Sequence, residues 1–145
     1  MDFFDALHIS SSGLSAQRLR MNLISANLAN INTTHTQAGG PYRRQDPVFA
    51  AQAPATSFRE MLRSRQQELL KEVAVVAIVE DQRPPLEKYD PTHPDANAKG
   101  YVAMPNINLM EEMVNMISAT RSYEAGVTAI QSAKDMALKA LEIGQ

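Results

Sequence analysis

Catalysis by this chain would have to rest on three histidines, a few acids in a proline-rich stretch, or one Gly-Gly pair, and none has the spacing required. His8, His35 and His93 stand in three separate segments with no i, i+4 or carboxylate-paired spacing, so they do not form the ligand set that a metal needs. Glu80, Asp81, Asp90 and Asp95 could supply paired carboxylates. Asp-Pro and His-Pro-Asp sequences, however, are turn formers more often than acid-base pairs. Gly39-Gly40 is followed by Pro41 rather than by lysine and a hydroxyl residue, which marks a turn and not a phosphate loop. The chain has no cysteine, which removes disulfides, thiolate nucleophiles and thiolate metal sites together. No catalytic residue, cofactor or metal is expected.

The polar residues that need a reason are of another kind. The stretch "SANLANINTT", Ser25 to Thr34, places Asn27, Asn30 and Asn32 at the close of an apolar helix, although asparagine competes with the helix for backbone hydrogen bonds. One helix end needs only one such residue.

The elements that would position these residues follow from periodicity. From about Phe4 to Ile31, Leu7, Leu14, Met21 and Leu28 recur every seven residues, with Ile24 and Ile31 three beyond the last two, which predicts a helix with an apolar seam. A second, longer helix is predicted from Leu109, Met113, Met116, Thr120, Tyr123, Val127, Ile130, Lys134, Ala137 and Leu141, spaced alternately by four and three. Asn108 with Glu111 reads as its capping box and Gly144 as its stop. At 1.5 Å per residue the helices would run roughly 40 and 55 Å. Leu19 and Leu23 fall off the first seam and Met110, Val114 and Ile117 off the second, and apolar faces that a chain cannot bury alone usually meet other chains.

Between the helices the texture changes. "PYRRQDPVFAAQ" and "EVAVVAIVED" read as strands, "DQRPPLEKYDPTHPDANAKG" as extended chain and turn, and residues 57–71 as a short charged helix. The expected organisation is therefore an N-terminal helix in 1–35, a β-rich middle segment in 36–105 and a C-terminal helix in 106–145. The formal net charge of −2 argues against nucleic acid as a partner, and Arg43-Arg44 reads as a solvated basic spot. The longest apolar run, Val73 to Val79, is too short to span a bilayer, which takes about 20 residues. The N-terminus, Met-Asp-Phe-Phe-Asp, has acid where a secretory signal would carry base, so no cleavable signal is expected.

"SANLANINTT" beside "GLSAQRLRMN" resembles the N-terminal signature of the rod, hook and hook-filament junction proteins of the bacterial flagellum. "YDPTHPDANAKGYVAMPNINLMEEMVNMISATRSYEAGVTAIQSAKDMALKALEIGQ" is similar to the C-terminal half of the proximal rod members of that axial family. The resemblance departs at residues 57–71, which look like an insertion, and at Gly126, where the family often has asparagine.

The resemblance implies a mainly α fold in which the two terminal helices pair as an antiparallel coiled coil. They would line a hollow helical tube, with a small β-rich segment outside. It implies a structural subunit of the drive shaft, exported without a cleaved signal by the flagellar type III apparatus to the basal body in the periplasmic space. Its partners would be copies of itself, neighbouring rod proteins, and the rotor ring with the rod-base adaptor. Phe3 and Leu7 resemble the apolar element that early export substrates present. Within such a tube Asn27 and Asn30, three apart on one face, are expected to fix subunit register, since a slip would leave their amides unsatisfied; the alternative is local capping and nothing more. Asn32 is expected to stop the helix in a left-handed turn. Leu28, Met113 and Met116 are expected at subunit contacts, Tyr123 within the helix pair, and Arg121 with Glu124 as a charged tie between subunits. The competing readings are a second proximal or a distal rod subunit and, from another class, a small monomeric enzyme or ligand-binding domain.

Overall fold

The computed structural model describes residues 3–52 and 71–143. Six elements follow in order: α1 (Phe3–Ala29), β1 (Gln45–Gln52), β2 (Glu72–Glu80), β3 (Leu86–Tyr89), β4 (Tyr101–Met104) and α2 (Leu109–Ile143). The fold is two long helices with small antiparallel sheets between them. Residues 57–70 of the helix expected at 57–71, and the stop at Gly144, lie outside the described residues, and Lys71 is not helical.

The two helices pack side by side and run in opposite directions, because partners descend along α2 as they ascend along α1. Leu14 meets Gly126, Arg18 donates to the Tyr123 hydroxyl at 3.4 Å, Thr120 donates to Met21 Sδ at 3.7 Å, and Asn27 reaches Glu112 at 3.1 Å. The start of α2 is fixed by Asn108, whose side-chain oxygen accepts the N–H of Met110 at 3.0 Å, the usual work of a capping asparagine. The same oxygen also accepts the Glu111 N–H at 3.5 Å, but the exposed Glu111 carboxylate does not return a bond to Asn108 and its charge acts on Arg83 instead, so the expected capping box is half formed.

The inward face of α2 differs from the predicted one. Met116, Thr120, Tyr123 and Ile130 do face α1, Thr120 through Met21, but Glu112, Ala119, Gly126 and Ala133 join them there, whereas Met113, Val127 and Lys134 are exposed. Small residues win there because they let the helix backbones approach: a Cβ added at Gly126 would stand 2.8 Å from Leu14 Cδ2. On α1 the buried positions are Ala16, Leu23, Ile24 and Asn27, so Leu23, expected to meet another chain, is used inside this one. Gly13, by contrast, has no neighbour close to where a Cβ would be.

The predicted strands pair as an antiparallel hairpin, β1 with β2, and a bulge at Val48/Phe49 leaves Val76 as the extra residue. A lone two-stranded sheet is marginal in water, and this one leans on α1. The Ser12 hydroxyl accepts the Val73 N–H at 3.1 Å, and His8 Nδ1 lies 3.2 Å from Glu72. The stretch read as extended chain and turn contains β3, which pairs with β4. Within their connection Asp90 accepts both the N–H and the hydroxyl of Thr92, which holds its carboxyl below the usual range. Asp95 accepts the Thr34 hydroxyl at 2.7 Å. These acids therefore shape turns. Gly100, at φ 80°, closes the loop with Tyr89 Cε2 2.9 Å from any added Cβ. Gly100→Ala is expected to cost about 2 kcal/mol, from the left-handed backbone and the forced shift of Tyr89. A thermal melt with no change in midpoint would contradict this.

Candidate functional site: a buried polar clasp and an outward apolar stripe

Three distant segments converge at the end of α1. Asn27 and Glu112 are both fully buried. The Asn27 amide nitrogen donates to the Gln45 carbonyl at 3.0 Å and to Glu112 Oε2 at 3.1 Å. Its oxygen accepts the Gln45 N–H at 3.0 Å and the Tyr42 hydroxyl at 3.1 Å. The other Glu112 oxygen accepts Arg44 Nε at 2.6 Å, and Arg44 also pairs with Asp46. An asparagine side chain offers two donors and one acceptor oxygen, and all are spent within the chain.

Arg44, read from sequence as solvated, is thus an inward-facing ion-pair partner with 12% of its side chain exposed. Burial works against its charge, but the bond to Glu112 and the field of Asp46 outweigh that and hold the guanidinium above its ordinary range. Burial, reinforced by the negative charges of Glu80 and Glu112, likewise pushes the Tyr42 phenol up. A raised folded-state value means the folded chain holds this proton more tightly than the unfolded one. The associated stability is fully present below the unfolded value of about 10 and is lost as pH rises through the folded value. Tyr42→Phe is expected to lose about 1 kcal/mol at neutral pH, and the deficit relative to the parent chain should shrink above pH 10. Urea titrations of the two chains at pH 7 and above pH 10 check this, and a pH-independent difference would contradict it.

The other asparagines sit apart from the clasp. Asn30 donates to the Ala26 carbonyl at 2.9 Å and accepts the Thr33 hydroxyl at 3.1 Å, a local cap for the end of α1. Asn32 is exposed and does not adopt the left-handed conformation expected of it, since among the described residues only glycines have positive φ. The helix instead closes through a tight turn in which Ile31 N–H reaches the Leu28 carbonyl.

A second feature faces away from α1. Met110, Met113, Val114 and Ile117 form one stripe along α2, exposed by 69%, 47%, 65% and 53%. Arg121 and Glu124 extend that stripe, are exposed, and form no ion pair among the described residues. Met116 and Tyr123 are half-buried on the inward side, as are Leu28 and Leu7 on α1; Phe3 opens α1. Sequence reasoning missed Tyr42 and Glu112 as partners of Asn27, and Arg44 as the partner of Glu112. The only signal was that Glu112 heads the seven-residue repeat Ala119, Gly126, Ala133.

Among the described residues no group of acids and histidines could hold a metal ion, and no helix is long and apolar enough to cross a membrane. The arrangement organises surfaces. Two family models match the chain: "Flagella basal body rod protein" over residues 7–34 and "Flagellar basal body rod FlgEFG protein C-terminal" over residues 98–143. Over its full length the chain is 45% identical to the flagellar basal-body rod protein FlgC of Bacillus subtilis, matched over 100% of that relative. The chain belongs to the FlgC family of flagellar basal-body rod proteins. The FlgC of Borreliella burgdorferi is 44% identical, with 100% of this chain and 99% of the relative covered, and that of Escherichia coli O6:H1 is 38% identical with both covered entirely. The FlgC family is one of structural rod proteins and not of enzymes. The first matched block ends with Asn27, Asn30 and Asn32, and the second contains Arg121, Tyr123 and Glu124.

Proposed function

We propose that the chain is a structural subunit of the proximal flagellar rod, and that α1 and α2 pair as an antiparallel coiled coil in the wall of a hollow shaft. The observation that carries this reading is the outward stripe of Met110, Met113, Val114 and Ile117 on a helix whose opposite face is already buried. Exposed apolar faces of this extent mark sites of association, and methionine adapts to non-identical neighbours. A rod grows through heterologous contacts between different surfaces of adjacent subunits. The exposed Asn32, Arg121 and Glu124 are proposed to lie at the rim of those contacts, with neighbouring rod proteins and the base of the rotor as partners, while the half-buried Leu28 serves the helix pair. Phe3 and Leu7 are proposed to engage a type III export apparatus that delivers the chain to the periplasmic side.

The reading is tested by deleting the gene and complementing it with a tagged copy. Deletion should abolish swimming and leave basal bodies without a rod, and the tagged chain should return with purified basal bodies. Normal motility after deletion, or a tagged chain absent from basal bodies of rescued cells, would sink the reading.

A further inference from the structure

The face that α2 turns toward α1 is not the one its larger apolar residues favour. Turning Met113 and Val127 inward in place of Glu112 and Gly126 requires a rotation of only half a residue step, about 50°. Met116, Tyr123 and Ile130 would face α1 in either arrangement. Hydrophobic burial alone favours the alternative, which would shelter Met113 and Val127, now 47% and 40% exposed, and return Glu112 to water.

What opposes that rotation is polar and directional. The Glu112 carboxylate is fully buried and receives one bond from α1, through Asn27, and one from the entrance to β1, through Arg44. Dispersion contacts between helices tolerate small rotations, whereas a buried charge satisfied from two fixed directions is paired in one arrangement only. We propose that the Glu112–Asn27–Arg44 clasp sets the rotational phase of α2 and so decides which of its faces is left outward for other rod subunits. The last clause rests on the reading as a rod subunit; the rotation does not. Leu14 seated on Gly126 supports the same phase from the apolar side. Glu112 and Arg44 are positioning residues in this account.

The chain contains no cysteine, so introduced pairs report phase without background. Leu14→Cys with Gly126→Cys joins positions that face each other in the observed phase, and Leu14→Cys with Val127→Cys joins those of the rotated one. Under mild oxidation the first pair should cross-link about tenfold more than the second. Adding Glu112→Leu should move that ratio toward the second pair by about tenfold, since each hydrogen bond to a charged group contributes at least one such step. Arg44→Leu, which leaves α2 untouched, should move it in the same direction and decides the matter if Glu112→Leu does not fold by circular dichroism. An unchanged ratio in the folded variants would overturn the proposal by assigning the phase to the small residues alone. Failure of both pairs to link in every background would overturn it by showing that the helices do not hold this register. A shifted ratio in cells that still build normal rods would overturn only the clause about the outward face.

Discussion

Glu112→Ala is expected to lower the unfolding free energy by about 3–5 kcal/mol, the usual loss when one partner of a buried ion pair is removed. The carboxylate is fully buried and both oxygens are engaged, so truncation strands the Arg44 cation and frees an Asn27 amide hydrogen inside the fold. Against a typical total of about 5–15 kcal/mol, this is a large share of the stability. Glu112→Gln keeps the shape and one acceptor and should cost less. Urea unfolding followed by circular dichroism measures both, and a loss below about 1 kcal/mol for alanine would mean that water restores what the side chain provides.

Val114→Asp combined with Ile117→Asp should have the opposite profile. Both side chains are largely exposed, so the isolated chain should lose no more than about 1 kcal/mol, mainly through the poorer helix propensity of aspartate. If the stripe is buried between subunits, each replacement removes about 1.5–3 kcal/mol of apolar burial. The pair then weakens association by about a hundredfold to ten-thousandfold, before any cost of burying the new charges. Swimming assays and the rod content of purified basal bodies give the readout. Normal rods containing the variant would place the subunit contacts elsewhere.

The contrast between these residues also explains what the sequence made legible. Both helices and the strands β1 and β2, though not their pairing, were readable because the spacing of apolar residues and the β-branched content reflect the geometry of each element. The inward phase of α2 was not, because periodicity weights Met113 and Val127 above Ala119 and Gly126, although in a close helix contact the smallest residue decides how near the backbones come. Glu112 and Arg44 were missed for a related reason. Charge ordinarily signals solvent, and their burial exists only because segments 68 and 85 residues apart meet at one point. The strands β3 and β4, four residues each, are too short to leave a period, and exposed Glu87 and Lys88 in β3 conceal its pairing. The three asparagines were recognised as unusual. Their division into one buried junction, one local cap and one exposed turn residue depends on what lies around them in three dimensions.

The contact between Leu14 and Gly126 has a mechanical consequence. Two rods laid side by side bend almost independently if they can slide along one another, and much more stiffly if sliding is blocked, as in a bonded composite beam. The Leu14 side chain sits where any Cβ on residue 126 would be, so it acts as a key in a slot near the middle of the pair, while the clasp pins one end. Gly126→Ala would fill the slot and trade that interlock for a smooth, wider-spaced contact; flexural rigidity, rather than stability alone, is the property in which the exchange would be felt.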